Sequence, residues 1–481
     1  MNKTLRDKKF FVVLMVVLVA VKIFLCSFLY AYNDKDQLLY TSGKLKFSNG
    51  FYQGGDDFEV FNSAAYYRAT DTIMVLDPVH SFYKPSPRVH RPYASAFRPK
   101  AFVLMHLYGT QLFHSITGKD AETVDSPNMH AYFNFYGCIL YFLAIAAYII
   151  SLFAFYALLQ FLFGNELWAR AGLILYAIIP SHLLFIGLFD SWENISFYVQ
   201  VIFFSHVYLA VFAKRSYSTL GALGVALCVL VAFCRPHLLM TFGALLALVV
   251  LHTLFVKDKS QRLSSIRIVI FSLLLLSCGL AFTFWQNNKW FGKPFLSTQS
   301  SFEFFQGHNE YARSSWNSHI YEQHKAYFDS AIYGNRNPEQ IAAMNLNEHQ
   351  EASLYKRYAD EWMKHHVKQE LLLTAKKVAG YFIPYNHLNN RVNLITMLLE
   401  AGFGLFFLLV AATLLRFRKH KRQLWQYLFI MAPVLFTILL TILFFVGYRW
   451  RYYAEPFMLV GGMLAIKHYY DTKRARNTLN A

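Results

Sequence analysis

Two adjacent carboxylates, Asp56 and Asp57, stand directly behind two glycines, Gly54 and Gly55. Glycine lets a backbone turn sharply and lets a ligand approach closely. An aspartate in such a place can take a proton from an attacking hydroxyl. The pair can equally cap a short amphipathic helix over residues 58–67, and taken alone that is the plainer use. Arginine offers the complementary chemistry, because its planar fork pairs bidentately with phosphate. Arg235 sits between two apolar runs. Arg449 and Arg451 introduce the last one, in the order Tyr448-Arg449-Trp450-Arg451-Tyr452-Tyr453.

The elements that must position these residues are mostly apolar. The 481 residues are 56% hydrophobic and 15% charged, and apolar runs of span length recur from end to end. The expected class is an all-α polytopic membrane protein. A net charge of +18 would suggest nucleic acid in a soluble domain. Here the basic residues cluster between apolar runs, so they report topology and lipid headgroups, and no nucleic-acid partner is expected. Cys26, Cys138, Cys228, Cys234 and Cys278 all lie in apolar segments and form no CxxC pair. No histidines show HExxH spacing, and no GxxxxGK[ST] phosphate loop occurs. ATP-driven work and a cytoplasmic nucleotide-sugar donor are therefore disfavoured.

Residues 1–32 hold a basic start and a first, uncleaved span over 10–32. Lys22 inside that span should face the bundle or snorkel. Residues 33–132 form a long external segment. Spans two to seven fall within 133–286, at 133–163, 168–188, 195–213, 219–234, 238–256 and 268–285. Residues 287–393 form an external helical segment, with one long helical stretch over 339–382 carrying a stripe of Tyr355, Tyr358, Trp362, Leu371 and Val378. Spans eight to ten, at 394–415, 424–446 and 454–470, and a basic tail fill 394–481. About ten crossings from a cytoplasmic N-terminus put the basic connections at 214–215, 257–267, 416–422 and 473–476 inside. An extra crossing at 101–116 would reverse the first two, so that run is expected to lie flat on the outer surface.

That parity gathers the conspicuous polar residues on the external side. They are Asp56, Asp57, the proline-rich basic stretch 84–100 with Arg91, Glu193, Arg235, His237, His308, Asn309, Arg449, Arg451 and Tyr452. Acids and arginines at the outer ends of several spans suit an outward cavity for a substrate with an apolar tail and an anionic head.

The order of these features resembles a known family. A first span is followed by the acidic pair before a Tyr/Ala helix, an Arg-Pro turn, a loop opening FGKPFLSTQSSFEFFQGHN, and a last span introduced by RWRYYAEPF. This order is similar to the multi-span lipid-linked-sugar transferases of the GT-C class, which include protein O-mannosyltransferases and the aminoarabinose transferase of lipid A. The resemblance runs over almost the whole chain as an order of features. It implies a GT-C-like bundle with interfacial helices. It puts the family's catalytic acid at Asp56 with Asp57 beside it, its glycine-asparagine stretch at Gly307-His308-Asn309, and its arginine-tyrosine at Arg451-Tyr452.

The implied reaction is glycosyl transfer from a polyprenyl-phosphate sugar to an envelope lipid, glycan or protein on the external face of the plasma membrane. Asp56 would be the general base of an inverting displacement, with Asp57 supporting it or exchanging roles. Arg235, Arg449 and Arg451 would hold the phosphate, and Tyr452, His308, Asn309, Glu193 and Arg91 would complete the substrate site. No cofactor is expected; two adjacent acids could hold a divalent metal, but the resemblance favours a metal-free reaction. The alternatives are a lipid or sugar transporter, which should show repeated halves, and a non-enzymatic scaffold for envelope synthesis.

Overall fold

A computed structural model describes residues 3–32, 61, 64, 75–76, 93–94, 100–121, 127–179, 191–213, 215–235, 237–255, 258–313, 320–382, 421–444 and 448–479. These residues are helical apart from connections and one two-residue antiparallel pairing, β1 (Val75–Leu76) with β2 (Tyr93–Ala94). The first half holds α1 (Lys3–Tyr32), α2 (Lys100–Thr117), α3 (Met129–Phe163), α4 (Glu166–Ala177), α5 (Ser191–Phe212), α6 (Thr219–Leu227) and α7 (His237–Phe255). Then come α8 (Lys259–Phe291) and a layer of shorter helices: α9 (Gln299–Gly307), α10 (Ile320–Gln323), α11 (Lys325–Tyr333), α12 (Pro338–Ala343), α13 (Glu348–His365) and α14 (Val367–Phe382). Two long helices, α15 (Lys421–Leu443) and α16 (Tyr448–Leu479), follow.

Five helical stretches among the described residues are long and apolar enough to cross a membrane: Ala131–Phe163, Asn194–Phe212, His237–Phe255, Arg262–Phe291 and Leu424–Leu443. Their outward faces carry large apolar side chains, such as Phe142 and Phe153 on α3 and Ile270 and Leu274 on α8. Surface of that kind belongs against lipid. The expected span over 219–234 is only 15 residues of helix, Thr219–Phe233. Its second part, Cys228–Phe233, is wound as a 3₁₀ helix. The larger rise of that form stretches the run to roughly 25 Å, close to the apolar thickness of a bilayer. Gly279 of α8 leaves room for this run, since a Cβ there would stand 2.2 Å from the Phe233 ring.

The helix ends sort into two groups. At one end Tyr217, just before α6, donates its amide to Ser264 Oγ at 3.1 Å and receives Arg267 on its carbonyl at 3.3 Å. Arg170 lies over Phe10 there, and Phe212 meets both His252 and Phe429. This end gathers the start of α1, the ends of α5 and α7 and the starts of α6 and α8. The opposite end gathers the starts of α3, α5, α7 and α16. The sequence expectation that the connections at 214–215 and 257–267 share one face agrees with this sorting.

Among the described residues, three apolar clusters hold the helices together. The largest runs through α1, α3–α8, α15 and α16 and takes in Tyr381 of α14. A second lies at the end where α3, α5 and α7 start and combines α2 with Phe61, Ala64, Trp192, Ile195 and Cys234. The third joins α9, α10, α11, α12 and α13. Helix α2 buries Phe102, Val103, His106, Leu107 and Phe113, while Tyr108, Leu112 and Ile116 stay exposed at four-residue spacing. It is not among the stretches long and apolar enough to cross. Two apolar stripes, one on protein and one open, suit a helix lying along an interface.

The stretch expected as one helix over 339–382 is broken twice. Asn347 and Gln350 form a reciprocal capping box that starts α13, and its end at His366 separates α13 from α14. The expected stripe holds for buried Tyr355 and Trp362, but Leu371 is exposed because the break at His366 resets the helical phase. Lys22 does face the bundle, with Nζ 5.3 Å and 5.7 Å from the ring centres of Tyr148 and Tyr198. The expected spans at 168–188 and 394–415 fall partly or wholly outside the described residues.

Candidate functional site

The site is built from helix starts. A helix start presents unpaired N–H groups and the positive end of the macrodipole, so several starts together favour an anion. On α5, Trp192 donates Nε1 to Tyr136 Oη at 2.9 Å and meets Phe102 of α2 at 6.0 Å between rings. The guanidinium of Arg235 lies over the same Phe102 ring at 5.5 Å. Two residues later His237 opens α7 and packs edge-on to Tyr453 of α16 at 4.7 Å. Tyr452 donates Oη to Asn194 Oδ1 at 3.0 Å, which returns to α5. Trp192, Phe102 and Arg235 thus form one run of contacts, and His237 with Tyr453 and Tyr452 with Asn194 form two more, all at one end of the bundle.

Arg451, beside Tyr452 in the first turn of α16, is buried. Its Nε lies 3.4 Å from Glu455 Oε1, one helical turn on, and Nη1 donates to the Tyr381 carbonyl at 3.4 Å. Glu455 is buried as well. A buried guanidinium needs such a counter-charge, since two desolvated ions hold together only when paired. Pro456 supplies no N–H to the Tyr452 carbonyl one turn back, so the backbone is loosened beside the arginine.

Phe61 reaches the same end. Its ring lies 5.3 Å from Tyr132, 5.2 Å from Phe133 and 6.0 Å from His106. His106 is buried and shares a 2.8 Å hydrogen bond between Nδ1 and Tyr132 Oη. Lys100, the first residue of α2, is also buried, and burial pushes its ammonium down to about 7.

His308 and Asn309 are engaged elsewhere. Asn309 donates Nδ2 to the Phe305 carbonyl at 2.7 Å and accepts the Tyr311 amide at 2.9 Å, closing the end of α9. His308 Nδ1 lies 2.9 Å from Glu370 Oε1 and Nε2 lies 2.8 Å from the Leu443 carbonyl. Lys377 is fully buried beside it and donates Nζ to the Ile442 carbonyl at 3.2 Å. Burial pushes the Lys377 ammonium down to about 8, with Glu370 pulling it partly back. Burial raises Glu370, but the His308 hydrogen bond and the charges of His308 and Lys377 outweigh it, and the carboxyl ends below its ordinary value.

Of the residues singled out from sequence, Arg235, Arg451 and Tyr452 therefore lie at the same end of the bundle, each on its own partners, while His308 joins α9 to α14 and α15 and Asn309 closes the end of α9. Asp56, Asp57 and Arg91 lie outside the described residues, and Glu193 and Arg449 are described only as backbone in the first turns of α5 and α16. Trp192, Asn194, Tyr453 and Glu455 were not picked out from sequence. Glu455 had a readable signal, a carboxylate four residues after an arginine in a helix. The ring contacts had none, because they join positions far apart in the chain. No family model matches the chain, and neither a curated protein nor a solved structure matches it.

Proposed function

We propose that this protein is a membrane glycosyltransferase that moves a sugar from a polyprenyl-phosphate donor to an envelope acceptor. On this reading the bundle has about ten spans in a GT-C-like arrangement, both termini are cytoplasmic, and the Trp192 end faces the exterior of the plasma membrane. The observation that supports the reading is that Arg235 and Arg451 both stand at the end of the bundle where α5, α7 and α16 start. Such a place favours a phosphate whose lipid tail lies in the surrounding bilayer.

The chain's own length supports a place for the acids there. Asp57 precedes buried Phe61 by four residues, which extended backbone spans in at most about 14 Å. Asp56 takes the proton of the acceptor hydroxyl as its oxygen attacks the anomeric carbon. The bond to the phosphate oxygen breaks on the opposite face, which inverts that carbon. The leaving phosphate gains negative charge, and Arg235 and Arg451 stabilise it, an effect of about 3 kcal/mol for one well-placed donor. Asp57 and Glu193 then hold the acceptor.

The test is transfer of labelled sugar from a polyprenyl-phosphate sugar by the purified full chain in detergent. Transfer that disappears in Arg235→Ala and Arg451→Gln, both folded, supports the reading. Turnover unchanged in both removes the phosphate site from it.

A further inference from the structure

Helix α14 carries four polar residues on one face. Glu370, Thr374, Lys377 and Tyr381 are spaced by four, three and four, so they line a single stripe. The lower part of the stripe meets the C-terminal end of α15. The last carbonyls of a helix lack partners within it and carry the negative end of its dipole. Two of them are satisfied from outside: Lys377 takes Ile442 and His308 takes Leu443. Lys377 Nζ also lies 3.4 Å from His308 Nε2, so both ring nitrogens of His308 are engaged at this junction. Thr374 adds a hydrogen bond to Glu370 at 3.2 Å. The backbones also touch, since a Cβ on Gly307 would stand 1.9 Å from the Phe444 carbonyl oxygen.

The upper part of the stripe meets Arg451. Tyr381 donates or accepts a 2.6 Å hydrogen bond with Thr437 of α15, and its carbonyl receives Arg451 Nη1 at 3.4 Å. One helix therefore caps α15 and supplies the backbone oxygen that holds the arginine. We propose that Glu370, His308 and Lys377 are positioning residues that clamp α14 on the end of α15 and so fix Arg451 for an anionic ligand. The proposal rests on the reading above that Arg451 meets a lipid phosphate. The clamp touches no ligand; it acts through Tyr381.

The test is a double-mutant cycle on the purified full chain in detergent, titrated with a polyprenyl monophosphate. Glu370→Gln keeps the shape of the side chain and removes its charge. It is expected to weaken binding roughly three- to tenfold, as coupled neighbours do. In an Arg451→Gln background the same change is expected to cost nothing further. Lys377→Met takes its place if Glu370→Gln does not fold. Binding unchanged by the clamp variant while Arg451→Gln weakens it overturns the clamp and leaves the phosphate reading intact. Penalties that simply add overturn it too, because they mark a general structural loss. A parent that does not bind the probe, or an Arg451→Gln protein that binds it as the parent does, overturns both.

Discussion

The imidazole of His237 packs edge-on against the ring of Tyr453, 4.7 Å between centres and 62° between planes. This contact fixes the start of α7 against the start of α16. Arg235 lies two residues before one partner and Arg451 two residues before the other. Two arginines from distant parts of the chain thereby come to one end of the bundle. Aromatic pairs of this geometry are worth about 0.5–1.5 kcal/mol beyond burial. His237→Ala should therefore weaken lipid-phosphate binding modestly by loosening both arginines, while His237→Phe should preserve it. Titration with a polyprenyl monophosphate decides, and equal binding by both variants would count against the contact.

The Arg451–Glu455 pair makes a stability prediction that does not depend on function. Both groups are buried. Arg451→Ala leaves Glu455 without its counter-charge and should cost about 3–5 kcal/mol. Adding Glu455→Gln should recover part of that loss. Thermal unfolding in detergent measures both; a double variant no more stable than Arg451→Ala would show that the pair is not coupled.

Lys377 and Glu370 act in separate pH windows, and stability rises with pH in each. Glu370 sits below its ordinary value of 4.5, so its stabilisation is present above that value and is lost as pH falls through the folded one. Lys377 falls from 10.5 to about 8, so between those values the unfolded chain binds a proton that the folded chain does not. Its contribution to stability therefore rises with pH across about 8 to 10.5. Lys377→Met should remove that rise. Unfolding temperatures at pH 7.5, 9 and 10 for parent and variant test the sign, and parallel curves would refute it.

Much of the frame was legible in the sequence because apolar run length is a local property. The helices at Met129–Phe163 and Ser191–Phe212 begin within four residues of the expected 133 and 195. The interior of the layer after α8 was not legible in the same way. A continuous helical composition over 339–382 hides the stop at His366, although Asn347 and Gln350 carried a capping-box spacing that could have marked the first break. Gly307-His308-Asn309 read as part of a substrate site because nothing local to it shows that Glu370 lies 62 residues away and Leu443 another 73 beyond that. The starts of α3, α5, α7 and α16 could be grouped by charge parity, but the contacts of Phe102 with Trp192 and Arg235 and of His237 with Tyr453 depend on packing that no single segment encodes.

The topology can be tested directly. Residues 33–132 should be external throughout, with α2 along the surface, as its exposed Tyr108, Leu112 and Ile116 stripe suggests. Single cysteines at Lys44 and Lys119, in a background without the native cysteines, should both react with an impermeant reagent in intact cells. Reaction at one position alone would require α2 to cross and would break the ten-span arrangement.

The catalytic assignment rests on Asp56. Its neighbour Asp57 is four residues from Phe61, and Phe61 packs in the cluster that also holds Trp192 and Cys234, the residue before Arg235. Asp56→Asn keeps shape and hydrogen-bonding capacity but removes the base. Transfer should fall about a hundredfold or more while the unfolding temperature holds. Asp57→Asn should cost less if that residue only supports the site, and the larger loss at Asp57 would exchange the two roles. The measurement is transfer of labelled sugar from a polyprenyl-phosphate sugar by each purified variant at matched expression. An Asp56→Asn protein with parental turnover excludes Asp56 as the base. Full turnover in both single variants would leave the inverting mechanism without its proton acceptor and would favour a transporter, in which flux of a lipid-linked sugar across vesicles would survive the same substitutions.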